Sequence, residues 1–165
     1  MKIRERVKPK PGQESVWDYP RPPRIEKSDA HIQIIFNNEI IADTFNSYRV
    51  LETSHPPVYY IPPDDIRIEY LKNAYGNSYC EWKGLANYYS LEVKGKMIDK
   101  VAWYYPSPNQ DFEKVKNHVA FYPAEMDACY VNGEKVIPQP GDFYGGWITR
   151  NIVGPFKGEP GTMFW

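Results

Sequence analysis

Proline sets the limits of this fold. Sixteen of the 165 residues are proline, roughly twice ordinary usage. Each one fixes φ and removes a backbone donor, which ends a helix and confines a strand to edges and breaks. Long helices are therefore not expected. Tyrosine is also abundant, at 14, and it favours strands. The expected architecture is many short strands joined by rigid turns.

The chain is long enough for one domain with a real hydrophobic core. Its apolar share of 42% and charged share of 25% are those of a globular protein. A formal net charge of −1 provides neither a basic field for nucleic acid nor an acidic one for basic partners. Cys80 and Cys129 are the only cysteines, and no C-x-x-C pair occurs. A cysteine-based zinc site and a dense disulfide framework are both excluded. No apolar run approaches the roughly 18 residues of a membrane span, and none follows MKIRERVKPK as a secretory signal would. The expected setting is the reducing cytoplasm, with no metal, no cofactor, no nucleic acid and no membrane. Oligomeric state is not legible.

Residues 1–16 are charged and lack apolar periodicity, and they read as a flexible leader. Residues 17–165 form the expected single domain. In VWDYPRPPRIE, Trp17 and Tyr19 can pin the segment. PRPPR favours polyproline II and reads as a stiff surface strap, with an SH3-type ligand as the competing reading. HIQIIF-NN-EIIADTF is a hairpin signal, two β-branched runs around Asn37-Asn38. ANYYSLEV-KG-KMIDKVAWYY repeats it at Lys94-Gly95, and ACYV-NG-EKVI gives its strongest form at Asn132-Gly133. YRVLET reads as a strand halted by Pro56-Pro57, and VYYIP as a short extended piece. IRIEYL alternates at Ile66, Ile68 and Tyr70 and reads as a strand in preference to a helix begun at Asp64. One short helix is expected over 111–117. The glycine-rich tail carries Phe143, Tyr144, Trp147, Phe156, Phe164 and Trp165. Burying such an aromatic is worth roughly 1.5–3 kcal/mol, so the tail is expected to pack on the domain. The fold class is all-β, coiled antiparallel sheets in a single domain with one short helix.

Several of these stretches resemble a known family in the same order. They are VWDYPRPPRIE, IADTFNSYRVLETSHPPVYYIPPDD, YCEWKGLANYYS, VAWYYPSP, VAFYPAEMD and GGWITRNIVGPFKGEPGTMFW. The chain from about Trp17 onward resembles the bacterial and fungal domain-of-unknown-function family numbered 427. The resemblance implies a compact β-tent-like fold, similar to zinc-ribbon-like exchange factors but without their zinc cysteines, and no established activity. The family is sometimes labelled nucleotidyltransferase-like, and the residues do not support that label. Polymerase-type transfer needs two or three carboxylates around magnesium, whereas Asp64-Asp65 would point to opposite faces of a strand. The ligase type needs Lys-x-Asp-Gly, and here Lys83-Gly84 stands alone. Gly154, Gly158 and Gly161 do not form a phosphate-binding loop.

Side chains able to do chemistry concentrate in RVLETSHPPVYYIPPDD and YCEWKGLANYYS. Cys80 and His55 suggest a thiol with its base, and Glu52 can orient the imidazole. On an extended strand Glu52 and His55 would sit roughly 10 Å apart, so the Ser54-His55-Pro56-Pro57 corner must bend for them to meet. A buried structural thiol beside a hydrogen-bonded histidine is the competing reading. Lys83 either approaches an anionic ligand or ends a strand in solvent; alternation separates it from Cys80 unless Gly84 marks a bulge. Arg49 either adds to a cationic cluster or makes a surface ion pair. Tyr59-Tyr60, Tyr88-Tyr89 and Tyr104-Tyr105, with Trp82, Trp103 and Trp147, either line an aromatic pocket or form the core. His31 and His118 read as structural.

The expected site is therefore a pocket with His55, Cys80 and Glu52 in catalytic positions and Arg49, Lys83, Tyr59, Tyr60 and Trp82 as ligand-binding residues. The expected function is a binding module, or an enzyme of unassigned class, for a small polar or anionic metabolite. The alternative is a structural or protein-interaction domain without a small-molecule site. A cysteine-dependent enzyme is the third reading.

Overall fold

A computed structural model describes residues 5–141 and 143–165. In chain order its strands are β1 (Glu14–Ser15), β2 (Arg24–Lys27), β3 (Ile32–Phe36), β4 (Glu39–Thr44), β5 (Tyr48–Leu51) and β6 (Val58–Tyr60). The long strands β7 (Leu71–Cys80), β8 (Gly84–Val93) and β9 (Lys96–Tyr104) follow, then β10 (Val119–Phe121) and β11 (Ala128–Val131). Four short strands close the chain: β12 (Glu134–Lys135), β13 (Ile137–Pro138), β14 (Trp147–Ile148) and β15 (Ile152–Val153). The short helix expected over 111–117 is 3-10 structure over Gln110–Val115, broken by a kink at Phe112. The fold is all-β. No helix among the described residues is long and apolar enough to cross a membrane.

The three hairpins form at the expected dipeptides. Asn37 and Asn38 have φ of 50° and 64°, Lys94 and Gly95 50° and 80°, Asn132 and Gly133 49° and 81°. They join β3 to β4, β8 to β9 and β11 to β12. Left-handed φ at both loop positions gives a turn whose twist matches its strands.

Two four-stranded sheets, ordered β10-β9-β8-β7 and β12-β11-β3-β4, carry the main core, and β2-β5-β6 forms a third sheet. Ile32, Ile34, Phe36 and Ile41 of one sheet share a core cluster with Leu91, Val93, Val101 and Phe121 of the other, and Trp147 joins them. Strand β5 is buried on both faces. Val50 joins Tyr60, Tyr105 and Val115 in one cluster, while Leu51 packs with Val16, Tyr19 and Ile152 in another. This two-faced burial decides which residues reach the site.

Five sequence expectations are corrected. YRVLET ends as a strand at Leu51, and its last residues turn the corner. IRIEYL is not a strand: Ile66 makes one isolated bridge to Ala42, and Ile68–Tyr70 is a 3-10 turn. The apparent alternation there is not amphipathic, since Ile66 is buried and Ile68 is 59% exposed. Asp64 and Asp65 lie in the 3-10 turn Pro63–Asp65, where Asp65 accepts a 2.6 Å hydrogen bond from Thr44. The expected leader is too long. Its residues 1–4 lie outside those described, but β1 pairs in parallel with β15 and Val16 is fully buried. The tail packs only in part, with Phe143 and Phe164 exposed and Trp147 and Phe156 within the core clusters.

Candidate functional site

The corner after β5 bends as the two prolines require. Ser54 adopts φ of 73°, and the His55 N–H donates to the Glu52 carbonyl at 3.0 Å. Glu52 and His55 are thereby brought together, with Nε2 of His55 3.5 Å from Glu52 Oε2. The Ser54 carbonyl accepts from the Lys157 N–H at 2.9 Å, which ties the C-terminal segment to the corner.

The segment after Cys80 is a three-residue hairpin loop. Cys80 pairs with Gly84 across β7 and β8, so residues 81–83 lie outside both strands. Strand alternation therefore does not apply to Lys83, and no bulge is needed. Gly84 takes φ of 108°, a conformation costly for any residue with a Cβ. Asn109 holds the loop from below. Its N–H donates to the Lys83 carbonyl at 2.9 Å and its side-chain amide to the Trp82 carbonyl at 3.0 Å.

These two segments face a common cavity of about 390 Å³. Glu52, His55, Cys80, Lys83 and Tyr60 all line it, with Val50 and Val58 from the same face of β5 and β6. Trp103, Tyr105, Tyr88, Tyr122 and Tyr144 supply aromatic wall. Trp103 donates its indole N–H to the Tyr60 hydroxyl at 3.1 Å, and Tyr88 donates to Ser78 at 2.8 Å. Gly145 lies against the Trp103 ring so closely that a Cβ there would clash with it.

Three expected site residues are elsewhere. Arg49 pairs with Tyr59, and Val50 with Val58, across β5 and β6. Side chains alternate along a strand, so Val50 and Val58 face the cavity while Arg49 and Tyr59 face away. Arg49 is instead a buried ion-pair hub, bound to Glu14 at 2.9 Å and to Glu26 at 2.6 Å. Tyr59 packs on Trp147 with ring centroids 5.0 Å apart. Trp82 packs against the Val50–Tyr60–Tyr105 cluster and does not line the cavity.

Sequence reading missed Gln139 and Lys157. Gln139 is 4% exposed and all its polar atoms are engaged. Its Oε1 accepts from the Gly146 N–H at 3.0 Å, and its Nε2 donates to the Lys157 carbonyl at 2.8 Å. Those partners fix the orientation of the amide, because an N–H must meet an oxygen and a carbonyl must meet an N–H. Nε2 also lies 3.1 Å from His55 Nδ1 and therefore donates to it. His55 is held as the neutral tautomer with its proton on Nε2, directed toward Glu52. Burial, then the charges of Lys157, Arg21 and Lys83, lower its pKa to about 4. At neutral pH His55 is thus a hydrogen-bond donor whose one lone pair is occupied, not a free base.

Lys83 and Lys157 carry the positive charge of the cavity. The Lys83 ammonium lies 5.8 Å from the Tyr105 ring centroid and that of Lys157 lies 5.7 Å from Tyr144. Tyr144 in turn meets the His55 ring edge-on at 5.2 Å. Burial opposes the charge on Lys83, yet Tyr60, Cys80 and Glu52 raise its pKa above the usual lysine value. Among the described residues neither lysine has a carboxylate within 4 Å. Charges left beside aromatic faces in this way attract an incoming anion.

No group of three or more His, Cys, Asp or Glu among the described residues could hold a metal ion. Cys129 is buried, and burial pushes its thiol up to about 12. A family model described as a domain of unknown function, DUF427, matches residues 24–132, more than half of the chain. No curated protein matches it.

Proposed function

The chain belongs to the DUF427 family, and we propose that this member binds a small organic anion bearing a planar ring in the cleft below His55. One observation carries the reading. Lys83, Lys157 and the Nε2–H side of His55 meet in a cavity whose remaining wall is largely aromatic. Its volume of about 390 Å³ is within the range of metabolite sites. The anionic group pairs with the two ammonium groups, and the ring stacks on Tyr144, Trp103 or Tyr122. Glu52, which lines the cavity, is paired with Arg21 at 3.4 Å. Two cations with no carboxylate within 4 Å among the described residues, set in an aromatic cleft, are not what a purely structural domain requires. The two free thiols fit a protein of the reducing cytoplasm, and the near-neutral charge argues against nucleic acid or a membrane surface as partner.

The thiol-enzyme reading has weaker support. Cys80 lines the cavity beside Lys83, but the lone pair of His55 that would take a proton is engaged by Gln139.

Native mass spectrometry of freshly purified protein, followed by titration with benzoate, tests the ligand reading. A co-purifying mass of a few hundred daltons, or benzoate binding weakened at least tenfold by Lys83→Gln with Lys157→Gln, is the expected result. A bare chain that ignores benzoate at millimolar concentration sinks it.

A further inference from the structure

We propose that the cleft continues into a second compartment that takes a hydroxylated group, so that the ligand is an anion carrying a sugar or similar polyol. The inference rests on the anion reading above and specifies its ligand. A cavity of about 480 Å³ lies next to the first and shares Tyr88, Tyr122, Phe143 and Tyr144 with it. One ligand can therefore pass over the four rings from one compartment to the other.

The chemistry of the two compartments differs. The second is bordered by Asn77, Asp99, Lys100 and Glu125, with main chain at Gly76 and Gly141. Donors and acceptors are interleaved there. An ammonium group would meet Lys100 and a carboxylate would meet Asp99 and Glu125, each with the wrong sign. A set of hydroxyls suits both, because each can donate and accept. The shared rings offer an apolar wall for the C–H faces of such a group.

The sheet is deformed where this compartment opens. The register of β7 on β8 slips between Asn73 and Asn77, and Gly76 there has φ of 90°. The register of β8 on β9 slips between Tyr89 and Leu91, and Lys100 within β9 takes φ of 50°. A lysine in the left-handed region inside a strand is strained, and such strain persists only where its surroundings enforce it. Ser90 enforces it here, accepting from the Lys100 N–H at 3.1 Å while its hydroxyl donates to Asp99. The Lys100 ammonium lies 6.0 Å from the Tyr88 ring centroid, and a Cβ at position 76 would come within 3.3 Å of it. Gly76 thus leaves room for Lys100 beside the wall that both compartments share. Bulges of this kind re-aim side chains beside functional sites.

Calorimetric titration with two probes, benzoate and 4-carboxyphenyl β-glucoside, separates this inference from the one beneath it. The glucoside is expected to bind at least tenfold tighter than benzoate. Glu125→Gln combined with Lys100→Asn, an exchange that tolerates left-handed φ, should bring the glucoside down to the benzoate level and leave benzoate unchanged. Equal affinity of the two probes for the unaltered protein overturns the polyol compartment while the anion site stands. An advantage of the glucoside that persists in the folded double variant overturns it as well. If neither probe binds, both readings fall together.

Discussion

At the scale of single residues, His55 couples the site to stability. Its pKa is lowered from about 6.5 in the unfolded chain to about 4 in the fold. The unfolded state therefore binds the extra proton first as pH falls. The contribution is fully present above pH 6.5, declines between 6.5 and 4, and amounts to roughly 3 kcal/mol. Urea denaturation from pH 7.5 to 3.5 should show this slope, and His55→Gln should flatten it. Replacing Gln139 by Glu puts an acceptor opposite Nδ1, and the His55 pKa measured by NMR should rise. The cysteines make a second residue-scale test. Iodoacetamide should label Cys80 in the folded protein and Cys129 only after unfolding, and benzoate should protect Cys80. Arg49 makes a third. Arg49→Met takes one partner from each of Glu14 and Glu26, which keep the Tyr19 hydroxyl and Arg24 respectively; both carboxylates are more than a third exposed, so the loss should be only about 1–2 kcal/mol. Benzoate affinity should not change, because the side chain lies on the far face of β5.

At the scale of elements, the hairpins were the most legible part of the chain. Asn37-Asn38, Lys94-Gly95 and Asn132-Gly133 state their turn locally, with no help from the rest of the fold. The corner at His55 was half legible: the prolines announced a break, but it is held by long-range hydrogen bonds, from the Ser54 N–H to Val16 and from the Lys157 N–H to Ser54. The site divided in the same way. His55, Glu52, Cys80 and Lys83 stood out because chemistry is dense in two short stretches. Gln139 lies 84 residues from His55 and has no local signature beyond its flanking prolines. The error at Arg49 and Tyr59 came from grouping neighbours in sequence that alternation sends to opposite faces. The C-terminal segment gives a graded test. Removing residues 156–165 takes away the Phe156 packing and the Lys157 link to Ser54. It should lower the melting temperature by several degrees, since 1 kcal/mol corresponds to about 2–4 °C at this size. Removing 163–165 should cost less, because Met163 and Phe164 are 75% and 95% exposed and only Trp165, edge-on to Trp17 at 5.1 Å, is lost from packing.

At the scale of the whole molecule, the ends of the fold meet. The Val7 N–H donates to Gly154 at 2.9 Å, and Glu14 and Ser15 pair in parallel with Ile152 and Val153. No local pattern in residues 1–16 announces this, because the partner strand is at the other end of the chain. Removing residues 5–15 should therefore destabilise the fold, with the calorimetric transition moving down and staying single. The parallel direction of that pairing has a mechanical side. When the chain is pulled from both sides of the pair, β1 and β15 are drawn in opposite directions along their common axis. Their hydrogen bonds are then loaded together in shear, where an antiparallel pair pulled from its open end would unzip one bond at a time. Forced unfolding is set by the barrier to the first rupture. In an optical trap the two-residue clamp should accordingly yield first, as a distinct event, before the hairpins behind it give way.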